Sequence, residues 1–290
     1  MALRLLVTGA SGFLGRTLCR QAATSWEVSL GYHDHEPDTR FGVAYRFDVS
    51  DRAAVARVFA AARPDAVIHA AVTSREEKLD QVVVHGSEAV ARTAAERGVL
   101  LVHVSSDMVF DGERAPYDED WPPSPITPYG RAKAEAEARV ARAHPGAVIA
   151  RTSLLYSLRP PDPRLARVLE DLEAGRPVTF FTDERRCPAE VGDVAAALLG
   201  AARRVSTLPP VLHLCGPETL SRWDFGVGCL EVLGVPSSAV RSQTVAESGM
   251  RRPRDLTLVA RRTPRDLRSQ IRPWAAVAAA SFEGERPEDR

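Results

Sequence analysis

Residues 3–15 read LRLLVTGASGFLG, a short apolar run that breaks into Thr8-Gly9-Ala10-Ser11-Gly12-Phe13-Leu14-Gly15. The run suits a strand buried on both faces, and the FLGRTLCRQAATS that follows has the three-to-four spacing of a helix. Glycines at such a strand-to-helix turn allow a tight bend. They also let an anionic group approach the backbone N–H groups at the positive helix end. At the first strand of a chain this arrangement predicts a βαβ nucleotide-binding unit, with Gly9, Ser11, Gly12, Phe13, Leu14 and Gly15 lying against a pyrophosphate.

The alternation continues outward from the loop. Strand-like WEVSLGY, VAYRFDV, DAVIHAA, LLVHVSS and AVIARTS are separated by segments of helical period such as DRAAVARVFAAARP and EAVARTAAERG. The series predicts an α/β fold over residues 1–155, a doubly wound parallel sheet of Rossmann type, with about 178–214 packing back on it. The proline-rich YSLRPPDP at 156–163 opens a second region. Residues 156–177 and 215–282 are expected to form a smaller, discontinuous C-terminal substrate lobe, and the polar 283–290, EGERPEDR, a disordered tail.

Composition excludes several functions. Across 290 residues, 38 Lys+Arg balance 38 Asp+Glu, so no global field favours nucleic acid or an anionic membrane. Cys19, Cys187, Cys215 and Cys229 lack the spacing of a metal site or a disulfide framework, which fits reduced thiols. The N-terminal apolar run is too short for a signal peptide, and no stretch approaches the ~20 apolar residues of a membrane span. The expectation is a cytoplasmic protein without a metal.

Two further stretches bear on the nucleotide. Asp48, with Val49 beside it, ends the third strand at the height of an adenine amino group, whereas Asp51 just after it is the competing helix cap. The tip of the second strand, Leu30-Gly31-Tyr32-His33, has no carboxylate before Asp34 to receive ribose hydroxyls. His33 or Arg40 could instead face a 2′-phosphate. The reading therefore favours NADP over NAD, with use of both left open.

Lysine usage singles out one helix. Only Lys78 and Lys133 are lysines among the 38 basic residues, so chance puts one at a given basic position about one time in twenty. Thr127-Pro128 reads as a helix cap with proline at the first turn, which places Tyr129 and Lys133 four apart on one face. Bringing a phenol from a pKa near 10 toward 7 takes ~4 kcal/mol, about what an ammonium ~4 Å away supplies at an effective dielectric near 20. A compact ammonium can also sit between a tyrosine and a nucleotide ribose where a wide guanidinium fork cannot. The competing reading is a surface lysine with Glu137 at i+4. At the tip of the fifth strand, Val104-Ser105-Ser106-Asp107 offers a hydroxyl that could join the tyrosine as a second donor to a carbonyl oxygen.

Taken together, TGASGFLG, HAA at 69–71, VHVSSDMVFDGERAPYDEDWPPSPITPYGRAK, RTSLLYS, RRCPAEVGDVA and RRPRDLTL resemble the extended short-chain dehydrogenase/reductase family, in its dTDP-4-dehydrorhamnose reductase-like branch. The likeness runs through about residue 258. It implies Ser106 as catalytic hydroxyl, Tyr129 as proton donor, and Lys133 as the group that lowers the tyrosine's pKa and holds the ribose. It also puts Ala70 and Ala71 against the cofactor, Ser106, Asp107 and Tyr129 against the substrate, and Arg252 on the diphosphate. The implied reaction is NAD(P)H-dependent reduction of a 4-keto nucleotide sugar, with that substrate as partner and at most a second copy of the chain in a homodimer.

The chain departs from the pattern at several points. Val83 stands where the family usually has asparagine, Met108 replaces an aromatic, and Glu184 and Arg186 replace glutamine and glycine. The reductase implication is therefore broader than the rhamnose one. Met108 after Asp107 speaks against a 4,6-dehydratase, which would carry an acid pair there. A nucleotide-sugar epimerase and a non-catalytic cofactor-binding regulatory subunit of the methionine adenosyltransferase β type stay as alternatives.

Overall fold

Residues 2–283 are described in a computed structural model. Strands β1 (Leu3–Thr8), β2 (Trp26–Tyr32), β3 (Val43–Arg46), β4 (Ala66–His69), β5 (Leu100–Ser106) and β6 (Val148–Thr152) join the strand Val211–Leu214 in one sheet. All pairings in it are parallel, and the order is Val211–Leu214, β6, β5, β4, β1, β2, β3. The chain runs outward from β1 to β3 and then returns to β4 on the other side of β1. That reversal opens a crevice at the carboxyl ends of β1 and β4, where ligands bind in sheets of this kind.

The helices are α1 (Phe13–Ala22), α2 (Arg52–Ala62), α3 (Gly86–Glu96), α4 (Pro128–Ala143), α5 (Pro163–Glu173), α6 (Val191–Ala202) and α7 (Arg222–Val232). Alternation along β1 shows how the two faces are filled. Leu5 and Val7 pack with Leu14 and Leu18 of α1 and Val194 and Leu198 of α6. Leu6 points the other way, to Val55 and Phe59 of α2, Val90 of α3 and Val140 of α4. Each fully buried leucine contributes about 1.5–3 kcal/mol, so both faces are strongly specified. α4 breaks the apolar rule, since its buried face carries Lys133 and Glu137 among Ala132, Ala136 and Val140.

The smaller lobe has its own core, in which Tyr156, Phe225 and Trp274 meet edge to face with ring centroids 5.0–5.3 Å apart. It gathers α5, α7, the helix Trp274–Glu283, and the parallel pair Thr179–Phe181 with Arg241–Gln243. That pair corrects the expected return to the sheet at about residue 178. Phe180 is buried in the small lobe, and the return comes with α6. A short apolar strand reads the same in sequence whichever core receives it. Of the expected tail, Glu283 ends the last helix, and the remainder lies outside the described residues.

Candidate active site

The glycine loop is fixed by close approach. Gly9 has φ +73°, and a Cβ there would lie 2.8 Å from the Ala70 carbonyl oxygen and the Ala71 Cα. A Cβ on Gly15 would come within 2.0 Å of the Gly9 carbonyl oxygen, so α1 can seat against the loop only with glycine there. Gly12 caps α1 in an extended conformation without a side-chain hydrogen bond. The first-turn N–H groups of Phe13, Leu14 and Gly15 have no partner within the helix and carry its positive end, which suits a pyrophosphate.

Two cavities meet over Gly9, Gly12, Ala70 and Val72. The one of about 290 Å³ takes walls from Ser11, His33, Asp48, Val49, Ala70 and Ala71. Asp48 Oδ1 accepts from the Ser50 N–H and hydroxyl, both at 2.8 Å. Burial opposes its charge, but those bonds, with His33 and Lys78 nearby, hold its pKa below the usual carboxylate range. Asp51 is the helix cap, accepting from Ala53 and Ala54 N–H at 2.9 and 3.1 Å. The strand tip differs from expectation in two ways. Arg40 is bound to Asp38 on the open surface, away from both cavities. Asp34 does line the smaller cavity, with Oδ1 2.8 Å from His33 Nδ1. Lys78, the other lysine, lies in the same wall.

The larger cavity, about 520 Å³, takes Gly9, Gly12, Phe13, Leu14 and Gly15 on one side. Ser106, Asp107, Tyr129 and Lys133 also line it, as does Arg252. Thr127 caps α4 as predicted, its hydroxyl accepting from Gly130 N–H at 3.0 Å, with Pro128 in the first turn. Ser106 donates to Asp107 Oδ1 and accepts from Met108 N–H, each at 3.2 Å. Asp107 Oδ2 accepts from the Ser153 hydroxyl at 2.7 Å.

The charges here differ from the sequence-based picture. Lys133 is 4% exposed and donates to the Val104 carbonyl at 2.6 Å. Burial, opposed in part by Glu137, lowers its pKa to about 8. Tyr129 is not made acidic: burial, with Asp107 adding to it, pushes its pKa up to about 12. The expected attraction of the ammonium is outweighed by the cost of desolvating a phenolate, which dominates here.

Glu137 is no surface partner of Lys133 either. It is buried, accepting from Ser105 Oγ at 2.5 Å and from Arg151 Nε and Nη2 at 3.0 and 2.8 Å. Among the described residues no carboxylate lies within ion-pair distance of Lys133, and Glu137, held by Arg151, acts on its ammonium only from farther off.

A second buried chain fixes the loop from behind. The Ser87 hydroxyl donates to the Val83 carbonyl at 2.5 Å, so it accepts from His69 Nε2–H at 3.0 Å. His69 Nδ1 then accepts from the Thr8 hydroxyl at 2.6 Å, and Thr8 Oγ1 accepts from Ala71 N–H at 3.4 Å. Burial, with Lys133 adding to it, lowers the His69 pKa to about 3, so the ring stays neutral.

The same cavity is lined by an arginine cluster around one carboxylate, of which the sequence singled out Glu184, Arg186 and Arg252 but not their meeting. Glu184, 1% exposed, accepts from Arg252 Nε at 2.7 Å and Nη2 at 3.2 Å, and from Arg186 Nη2 at 3.0 Å. Arg222 Nε stands 4.0 Å from the same carboxylate. Burial works against the Glu184 charge, but the surrounding guanidiniums hold its pKa below the usual value. Arg252, the sequence candidate, is thus in the cavity wall, bound to Glu184 and lying 5.1 Å over the Phe181 ring. Arg164 and Arg222 also line the cavity and were not singled out. With 36 arginines in the chain, arginine by itself gives no contrast.

Parallel sheet, glycine loop and a cleft end built from Ser106, Tyr129 and Lys133 place the protein among the extended short-chain dehydrogenase/reductases, a class of NAD(P)-dependent oxidoreductases. The chain belongs to the family described as the RmlD substrate binding domain, whose model matches residues 3–285. It is similar to the dTDP-4-dehydrorhamnose reductase of Sinorhizobium fredii, at 32% identity over 228 residues, 74% of this chain and 73% of that protein. It is also similar to the methionine adenosyltransferase 2 subunit beta of Xenopus tropicalis, at 30% identity over 256 residues, 83% and 75% of the two chains. The solved dTDP-4-dehydrorhamnose reductase of Bacillus anthracis, in complex with NADP, shares the fold with a TM-score of 0.79 at 22% identity, covering 98% of this chain and 100% of that one. No helix among the described residues is long and apolar enough to cross a membrane.

Proposed function

We propose that the protein is an NAD(P)H-dependent reductase of a 4-keto nucleotide sugar. The observation that carries the reading is one 520 Å³ cavity lined together by the glycine loop, by Ser106, Tyr129 and Lys133, and by Arg164, Arg186, Arg222 and Arg252. That layout suits a ketone held by the hydroxyls and a diphosphate held by guanidiniums from the small lobe, Arg252 among them. The glycine loop and the uncapped start of α1 fit a dinucleotide, with Ser11, His33, Asp48, Val49, Ala70 and Ala71 around its adenosine. When bound, a reduced nicotinamide would supply hydride to the ketone carbon.

The chain's own groups account for the proton. A Tyr129 pKa of about 12 keeps the phenol protonated at neutral pH, so it can donate to the oxygen that becomes the alcohol. The Ser106 hydroxyl, released from Asp107, donates to the same oxygen and stabilises its developing charge. Lys133, now donating to Val104, would hold the ribose hydroxyls of a bound nicotinamide nucleotide, and its ammonium would favour the phenolate left after transfer. A zero net charge and four free cysteines fit work in the cytoplasm on a small anionic substrate, either as a monomer or as a homodimer.

The test is oxidation of NADPH or NADH with a panel of 4-keto nucleotide sugars. Wild type should turn over at least one, and Tyr129→Phe should lose at least ~10²-fold in kcat, the usual scale for a general acid. An unchanged Tyr129→Phe would remove the tyrosine from the chemistry, and interconversion without net cofactor consumption would point to an epimerase. The likeness to methionine adenosyltransferase 2 subunit beta supports a second reading, a cofactor-binding regulatory subunit. That reading requires cofactor binding without turnover and a stoichiometric enzyme partner in a pull-down.

A further inference from the structure

Five cationic side chains line the larger cavity, Lys133, Arg164, Arg186, Arg222 and Arg252, against two carboxylates, Asp107 and Glu184. Four of the five are already engaged. Lys133 donates to Val104, and Arg164 pairs with its own helix cap, Asp162, at 3.4 Å. Arg186 lies between Glu184 at 3.0 Å and Asp107 at 3.7 Å, and Arg252 makes two hydrogen bonds to Glu184. Arg222 is the exception. Its side chain makes no hydrogen bond among the described residues, and its one ion-pair contact, with Glu184, is 4.0 Å long.

Its position makes this costly. Arg222 opens α7, where the positive helix end disfavours a cation, and its side chain is only 24% exposed. Arg164, Arg186 and Arg252 stand close enough to repel it, and burial together with that repulsion lowers its pKa to about 10. Glu184, shared with Arg186 and Arg252, offsets this only in part, from 4.0 Å and without a hydrogen bond to Arg222. Ser221 caps α7 through its own hydroxyl, accepting from Asp224 N–H at 2.9 Å, so the helix does not need the guanidinium.

We infer that Arg222 is the principal protein contact for the diphosphate of a nucleoside-diphosphate ligand, with Arg252 held beside it by Glu184 as the secondary one. The inference rests on the nucleotide-sugar reading for the identity of the anion. It rests on the geometry for the residue. A guanidinium offers paired donors that match phosphate oxygens, and the one whose donors make no hydrogen bond among the described residues has most to gain from them.

The experiment reads binding without turnover, so a failed ketone screen and a failed inference are told apart. Calorimetric titration of the wild-type protein with dTDP, dTMP and thymidine, in the presence of NADPH, should give the tightest binding for dTDP and the weakest for thymidine. Arg222→Ala should weaken dTDP at least tenfold, Arg222→Lys should recover part of the loss, and Arg252→Ala should lose less than Arg222→Ala. Unchanged NADPH affinity certifies that each variant is folded. If Arg222→Ala does not fold, Arg222→Gln carries the same expectation. Equal affinity for dTDP and dTMP would overturn the diphosphate assignment. Wild-type dTDP affinity in folded Arg222→Ala or Arg222→Gln would overturn the role of Arg222.

Discussion

Replacing Lys133 with methionine should make the protein more stable while stopping it from working. The ammonium is 4% exposed, has no carboxylate partner, and titrates at about 8 against an ordinary 10.5. That difference is worth ~3 kcal/mol of native-state cost while both native and unfolded chains hold the proton. Methionine has similar length and volume and removes this cost, but it takes the donor from the Val104 carbonyl, about 1 kcal/mol. At pH 7 Lys133→Met should therefore be ~2 kcal/mol more stable than wild type, or ~4–8 °C in Tm at this size.

The pH dependence gives the argument a second handle. The folded pKa lies below the unfolded one, so between about 8 and 10.5 the unfolded chain binds more protons at this site than the native one. Wild type therefore gains stability as pH rises, by ~2 kcal/mol between pH 7 and 9.5 from this group. The lead of Lys133→Met should close to about zero over that span, and comparing the two proteins cancels every other titrating group. The assay is urea unfolding of both at pH 7 and 9.5. A variant less stable than wild type at pH 7, or a gap that does not move with pH, would refute the desolvation argument.

Two further outcomes follow from the loop and the strand tip. Gly15→Ala sets a Cβ 2.0 Å from the Gly9 carbonyl oxygen, backbone that cannot yield cheaply, so it should cost at least ~2 kcal/mol in urea unfolding and also weaken dinucleotide binding. NADPH should bind at least as tightly as NADH in a fluorescence titration, because His33 lines the adenosine cavity; a preference for NADH above tenfold, ~1.4 kcal/mol, would assign the strand tip to Asp34 instead.

What the sequence disclosed was local. The glycine turn and the Tyr129–Lys133 pair are spacings within one turn or one helix, and Thr127-Pro128 marks where that helix begins. The arginine wall was legible only in part: Arg252, Glu184 and Arg186 stood out within their motifs, whereas Arg164, Arg222 and the meeting of all five come from separate segments that only the fold brings together. The acidity of Tyr129 was misjudged for a related reason. Spacing along a helix shows that two side chains can meet, whereas burial and the orientation of the ammonium toward Val104 are properties of the packed cleft. Glu137 makes the same point, since its spacing suited Lys133 but Arg151 from β6 claimed its carboxylate.

The one-way run of donors from Ala71 through Thr8, His69 and Ser87 to Val83 also limits how this sequence can drift. Exchanging Thr8 for valine keeps the shape but leaves His69 Nδ1 buried without a donor, and exchanging Ser87 for alanine strands the Nε2–H of the same ring. Each orphaned group costs about 1–3 kcal/mol, a large share of the stability of an ordinary domain. Positions 8, 69 and 87, though 61 and 18 residues apart along the chain, are therefore inherited as a unit. Descendants of this sequence should keep all three or exchange them together for an apolar set, and a lineage caught with only one changed should show its compensation at the other two.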